Sequence, residues 1–175
     1  MIIKKADLND LKALMDVYMV ARQFMKATGN PNQWKDSYPT EEVVKRGIQE
    51  GKAYVCLAER PADGKEGEEI QAGELMGTFY FSVETDPAYD RIYEGEWLNQ
   101  EPYGVIHRIA SSGKGKGFAK ACFDWAGKQW DNLKIDTHRD NKVMQHVLEK
   151  NRFQKCGIIY LENGEERLAY QRSSR

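Results

Sequence analysis

Apolar positions along the chain switch between a helical and a strand period, and the switches mark its elements. Ile2 and Ile3 open a short strand over residues 1–5, after which Asp7 caps a helix with the apolar line Leu11, Leu14, Met15, Tyr18, Ala21 and Met25. Gly29 marks its end. Thr40 caps a second helix with Glu41 and Glu42 in the first turn, closed by Gly51. Residues 53–59 and 75–83 read as strands, joined by a Gly- and Glu-rich stretch, 60–73, expected to be a mobile hairpin loop. A further strand runs to Ala110, and behind a glycine turn Phe118, Cys122, Trp125 and Ala126 recur at helical spacing. Residues 133–136 form a strand, and Asp140 or Asn141 caps a helix with Val143, Met144, Val147 and Leu148 on one face. Phe153 ends that unit. The last hairpin, 156–161 with 167–171, turns on Glu162-Asn163-Gly164. The predicted order is βααβββαβαββ, an α/β chain with a mixed, mostly antiparallel sheet of about seven strands and helices on both faces.

Composition narrows the class. The chain has 175 residues, so residues 1–175 read as one domain. Hydrophobic residues make up 41% and charged residues 30%, with a net charge of −1, which suggests neither disorder nor a global basic field for nucleic acid. No apolar run reaches the length of a membrane span and no charged-then-apolar signal segment opens the chain, so a cytoplasmic protein is expected, without nucleic-acid or membrane partners. Cys56, Cys122 and Cys156 stand far apart without a Cys-x-x-Cys pair or a His-Glu-x-x-His motif; buried, reduced thiols and no metal are expected.

The chemistry concentrates at residues 106–126. A strand there meets a turn with Gly113, Gly115 and Gly117, and a helix follows whose free N–H groups and dipole face the turn. That is an anion site, most naturally for phosphate, with Lys114, Lys116 and Lys120 around it. A Walker loop is excluded because no Ser or Thr follows a Gly-Lys pair, and the Gly-x-G-x-x-Gly spacing of dinucleotide folds ends on Phe118 or Lys120. The run Lys114-Gly115-Lys116-Gly117-Phe118-Ala119 instead resembles the Gln/Arg-x-x-Gly-x-Gly/Ala pyrophosphate loop of the GNAT superfamily of acyl-CoA-dependent N-acyltransferases. Gly117 and Ala119 fill the two small positions, and Lys114 stands where Gln or Arg is usual. The element order is also that of the GNAT fold, so the resemblance covers nearly the whole chain. Asn141 and the run Glu149-Lys150-Asn151-Arg152-Phe153 resemble the family's Asn-start helix ending in Glu-Lys-x-Gly-Phe, with Arg152 in place of Gly.

The resemblance implies transfer of an acetyl group from acetyl-CoA, as cosubstrate, to a primary amine. The pantetheine would lie where the strand ending near Ser111 splays from 133–136, on the backbone of Ile109 and Ser111. The pyrophosphate would sit on Gly115, Lys116, Gly117 and Ala119, with Lys114 and Phe118 completing the loop, and Asn141 would reach the pantetheine. A noncatalytic acyl-CoA-binding or regulatory domain is the alternative. His107, on the strand before the loop, is the candidate base, since an imidazole ordinarily titrates near 6.5. The family's usual acid is a Tyr immediately before the Glu-Lys pair, and that position is Leu148. Tyr160 or Tyr170 would have to substitute, unless the thiolate leaves unassisted. The acceptor would be a small-molecule or peptide amine, and a homodimer is compatible with the family.

Residues 84–104 offer two readings. They carry Glu84, Asp86, Asp90, Glu94, Glu96 and Glu101 beside Tyr89, Tyr93, Trp97 and Tyr103, which suits the wall of a cleft for a cationic amine. Alternatively Tyr89, Tyr93 and Trp97, four apart, are the buried side of a short helix. Trp34 and Tyr38, after the first helix, either contact the acceptor or plug the edge of the core.

Overall fold

The structure, a computed structural model, describes residues 1–35 and 37–174. Its strands are β1 (Ile2–Lys5), β2 (Ala53–Leu57), β3 (Leu75–Val83), β4 (Gly104–Ser111), β5 (Asn132–Thr137), β6 (Gln154–Tyr160) and β7 (Glu166–Ser173). They form one seven-stranded sheet in the order β1-β2-β3-β4-β5-β7-β6. Every neighbouring pair is antiparallel except β4 and β5, which run parallel. The helices are α1 (Leu11–Ala27), α2 (Glu41–Gln49), α3 (Phe118–Gln129) and α4 (Lys142–Lys150).

The helix starts are set by the residues the sequence marks. Asp7 caps a single 3₁₀ turn, Leu8–Asp10, that runs on into α1, and Asp10 accepts the Asp7 N–H in return at 2.8 Å. The Thr40 hydroxyl accepts from the Val43 N–H at 3.2 Å, and the Asn141 side-chain oxygen from the Met144 N–H at 3.0 Å.

Alternation along the strands sends side chains to two cores. On one face Phe79, Phe81, Ile106, Leu133, Ile135, Leu168 and Tyr170 pack under α3 and α4. On the other, Val55, Ala53 and Ala110 pack under Leu14, Val17 and Tyr18 of α1 and Val44 and Ile48 of α2. The half of this second face that α1 and α2 leave open is covered by the segment between β3 and β4. Tyr89 and Trp97 from that segment are buried there with Tyr80, Val105, Cys156, Ile159 and Ala169. All three cysteines are buried and unpaired.

The structure corrects three expectations. Residues 60–73 are not a bare loop: Ala62–Asp63 pairs with Glu69–Ile70 in a short ribbon, because Ile70 is drawn into the core beneath the glycine turn. The segment 84–104 is not a helix. Pro87 starts a 3₁₀ turn that ends at Tyr89, and beyond it Glu94 takes a positive φ of 54° and Gly95 presses on the backbone of β6. A Cβ at Gly95 would lie 1.9 Å from the Cys156 carbonyl oxygen, so the chain follows the sheet too closely for a helix to fit. Tyr93 is consequently left 40% exposed while Tyr89 and Trp97 are buried. On α4, Val143 points outward and Leu148 is the buried apolar residue.

Candidate active site

Strands β4 and β5 pair only at Gly104 with Leu133 and Val105 with Lys134. Beyond those residues they part, which leaves the β5-facing edge of β4 from Ile106 onward without a neighbouring strand. Along its other edge β4 carries a bulge, since Ala110 pairs with Thr78 and His107 with Tyr80, so that Arg108 and Ile109 together oppose Phe79. Arg108 takes φ of 50° there. Splay and bulge open a cleft of about 980 Å³ lined by residues of β4, β5, the 33–38 connection, the 86–88 turn and the β6–β7 hairpin.

His107 lies in this cleft. Its Nε2 is 2.8 Å from Asp86 Oδ2, and its ring packs beside Tyr80 and Tyr89. Burial works to raise the Asp86 carboxyl, but the hydrogen bond and charge of His107 and the Ala88 N–H outweigh it and hold the group below its usual range. An ionised carboxylate only accepts, so the proton of the pair resides on Nε2 and the Nδ1 lone pair is the basic one. Asp86 entered the sequence reading only as one acid in an acidic stretch. Nothing local links it to His107, because the pairing depends on the turn that Pro87 imposes.

The glycine turn lies at the far end of β4. Gly113 and Gly117 have φ of 82° and 85°, which a side chain adopts only with strain. Gly117 is also the N-cap of α3, and no side chain caps that helix, so its first N–H groups stay open to an anion. A Cβ at Gly117 would have only the Met1 methyl at 3.9 Å near it, so the space beside it is free. The 60–73 ribbon braces the turn from below through Lys65 N–H to Lys114 O at 3.0 Å. Charge is distributed differently from the expectation. Lys114 pairs with Glu74 and Lys120 with Asp124, so among the described residues only Lys116 of the three lysines makes no ion pair. Phe118 contributes its backbone alone, since its ring is buried against Gly77. Ala119 is half-buried in the first turn of α3.

Of the other expected residues, Ile109, Asn141 and Tyr160 line the cleft. Ile109 lines it from within the bulge, and Ser111 ends β4 with its hydroxyl accepting the Gly113 N–H at 3.1 Å. Asn141 reaches the cleft but is almost fully buried; besides capping α4 it donates to Gln33 Oε1 at 2.9 Å. A contact from Asn141 to a ligand therefore requires Gln33 to yield. Tyr160 sits at the mouth, 45% exposed, with its ring edge-on to Tyr93. Tyr170 is buried in the α3/α4 core and Leu148 lies beside it there, so neither reaches the cleft. Trp34 packs on Tyr18 at the edge of the α1 core, and with Tyr38 it also lines the cleft. Three cations in the lining, Lys35, Arg108 and Arg167, escaped the sequence reading because nothing in their local sequence distinguishes them from surface charges.

No family model matches the sequence, and no curated protein does. Solved structures do. A GNAT-family acetyltransferase from Listeria monocytogenes aligns at 18% identity over 98% of this chain and 93% of its own, with a TM-score of 0.65. A ribosomal-protein-alanine N-acetyltransferase from Brucella melitensis aligns at 16% identity over 99% of both chains, with a TM-score of 0.57. At those identities the likeness is one of fold. A GNAT-family acetyltransferase from Streptococcus agalactiae is more similar, with 30% identity over 99% of this chain and 95% of its own and a TM-score of 0.82. By fold, by the opened β4–β5 pair above an uncapped helix start, and by that identity, the chain belongs to the GNAT family of acetyltransferases.

Proposed function

We propose that the protein transfers the acetyl group of acetyl-CoA directly to a primary amine. The observation that carries this reading is the junction of splay, bulge and base: the unpaired edge of β4 and the His107–Asp86 pair open into one cleft, and β4 runs on from that cleft to the glycine turn before α3. The pyrophosphate sits on the N–H groups of residues 115–119, and the pantetheine runs along the free edge at Ile109 and Ser111. A bulge leaves a backbone residue outside the ladder, and an N–H released at Arg108–Ile109 stabilises the oxyanion as the amine adds to the thioester carbonyl. His107 Nδ1 takes the proton from the attacking nitrogen, the carbonyl re-forms, and the C–S bond breaks to release the CoA thiolate. Tyr160, a phenol in the cleft lining, protonates that sulfur; otherwise water does so.

The location of Leu148 favours a second reading, a binder of acyl-CoA without turnover, because the family's acid position is here occupied by a side chain sealed in the core. Thiol release separates the two. Purified protein with acetyl-CoA and a broad amine panel should release CoA thiol, and His107→Ala should lower kcat by about 10²- to 10⁴-fold. An unchanged rate in that variant would refute the base assignment. Tight acetyl-CoA binding with no amine acetylated would establish the binder.

A further inference from the structure

Among the described residues, one cation of the cleft lining makes no ion pair, whereas Lys35 and Arg167 both pair with Glu165. Arg108 is half-buried in the lining, and among the described residues no carboxylate pairs with it. Its guanidinium lies over the Tyr80 ring at 4.7 Å, and a Cβ added at Gly47 of α2 would come within 3.4 Å of it. The groups around it are neutral. Burial pushes the Tyr18 phenol up to about 12, with the Arg108 charge pulling against it, and burial also takes the Tyr80 phenol to about 12. Glu84, the acid nearest Tyr80, takes the Tyr80 hydroxyl at 2.6 Å and is neutralised by Lys52 at 2.6 Å. Asp86 is occupied by His107.

Position sharpens the point. Successive strand residues ordinarily face opposite sides of a sheet, yet His107 and Arg108 both pack on the Tyr80 ring, the first with centroids 5.8 Å apart. The bulge and the positive φ at Arg108 turn both side chains to the same face. A base and a guanidinium held by one ring match a ligand whose amine and anionic group are a few bonds apart. The guanidinium fork suits a planar carboxylate.

We infer that Arg108 anchors a carboxylate on the acceptor, so that the acceptor class is the free α-amino acid. This rests on the acyl-transfer reading above. The amine of such an acceptor meets His107 Nδ1 while its carboxylate bridges to Arg108, and its side chain leaves toward Trp34 and Tyr38. Arg108 is thus a specificity-determining residue for the reaction.

The test uses matched pairs of α-amino acids and their carboxamides with small, aromatic and cationic side chains, in two arms. In the first, acetylation from acetyl-CoA should favour the carboxylate of at least one pair by about 10- to 100-fold in kcat/KM, mainly through KM. In Arg108→Gln that ratio should fall toward one, and Arg108→Lys should restore part of it. In the second, calorimetry of the CoA complex with the corresponding N-acetylamino acids and N-acetylamino amides should show the same preference and the same loss without needing turnover. Amines acetylated with no carboxylate preference in wild-type protein would overturn this inference while leaving the transferase reading intact. No amine acetylated but a carboxylate preference in binding would overturn the transferase reading and keep the subsite. Equal binding of both members of every pair, or of neither, would overturn the subsite, and the wild-type comparison holds even if Arg108→Gln fails to fold.

Discussion

Replacing Lys134 by Met should stabilise the protein at neutral pH and remove a pH dependence on the alkaline side. Lys134 is on β5 and alternates away from Leu133 and Ile135, so its side chain enters the space between the sheet and the 84–103 cover, where it is only 3% exposed. Its ammonium lies 4.0 Å from the ring centroids of both Trp97 and Tyr103, and among the described residues no carboxylate forms an ion pair with it. Burial lowers its pKa from 10.5 to about 8, against weaker opposing pulls from Cys156 and Asp90. A depression of that size corresponds to roughly 3 kcal/mol at 1.36 kcal/mol per unit. The two rings favour the cation and return about 1–2 kcal/mol of it. Met has a similar length, carries no charge to desolvate, and gains a sulfur–aromatic contact of about 0.3–1.5 kcal/mol.

The sign follows from where protons bind. Below about pH 8 the amine is charged in both folded and unfolded chains and the burial penalty is fully present. Between about 8 and 10.5 the unfolded chain holds the proton and the folded chain releases it, so stability rises with pH across that window. Urea unfolding of wild type and Lys134→Met at about pH 7 and about pH 9.5 should therefore show the variant ahead by about 1–2 kcal/mol at the lower pH and by less at the higher. Comparing the gap cancels the titration of every other group. A variant that is less stable at both pH values by the same amount would mean that the ring faces outweigh desolvation and the amine stays charged throughout.

Three further outcomes test the site and its support. Acetyl-CoA at 100 times its dissociation constant should raise Tm by roughly 5–10 °C, ATP and NAD should not, and Gly117→Glu should abolish the shift by placing a carboxylate where the pyrophosphate sits. An equal shift with ATP would remove the acyl-CoA assignment of the turn. Asp86→Asn should reduce kcat by at least about tenfold with KM little changed, since the amide no longer fixes the proton on Nε2, and Asp86→Glu should recover part of it; a pure rise in KM would contradict that positioning role. Gln171, fully buried, donates to Asn132 Oδ1 at 2.7 Å and accepts the Leu98 N–H at 2.8 Å. Gln171→Leu leaves both partners unsatisfied and should cost about 2–4 kcal/mol in urea unfolding; a loss under about 0.5 kcal/mol would show that water replaces the network.

The parts of the fold that were legible are those where a local rule and a burial pattern agree. Asp7, Thr40 and Asn141 combine a capping side chain with a periodic apolar face behind it, and each starts a helical segment as expected. Asn163-Gly164 turns the last hairpin, with Gly164 at φ of 84°. The segment 84–104 fails because Tyr89, Tyr93 and Trp97 satisfy a helical period by coincidence. The contacts that decide it are the mutual Tyr93–Ile158 backbone bonds at 2.8 Å and the fit of Gly95 against Cys156, and both partners lie some sixty residues away in sequence. Ile70 decides the 60–73 ribbon in the same way, through one apolar side chain whose destination is not written next to it.

The site divides along the same line. A turn that needs positive φ, followed by an uncapped helix, is a backbone property, and backbone properties are spelled by neighbouring residues; Gly113, Gly117 and the absence of a capping side chain could all be read in place. Side-chain chemistry is not spelled that way. His107 was visible as an imidazole on the strand before the glycine turn, but its Asp86 partner was not, and what gives it a neighbour on its own face is a bulge that only the register between β3 and β4 reveals. A bulge inverts the alternation rule on which sequence reading of strands depends, and nothing beside Arg108 in the sequence announces one, so Arg108 was not singled out. The lysines err in the other direction. Lys114 and Lys120 look available for phosphate because their carboxylate partners, Glu74 across the sheet edge and Asp124 one helical turn on, do not alter the glycine pattern that drew attention to them. The anion binding proposed for this turn therefore rests mainly on backbone N–H groups and Lys116, and a substitution there should matter through φ and space more than through charge.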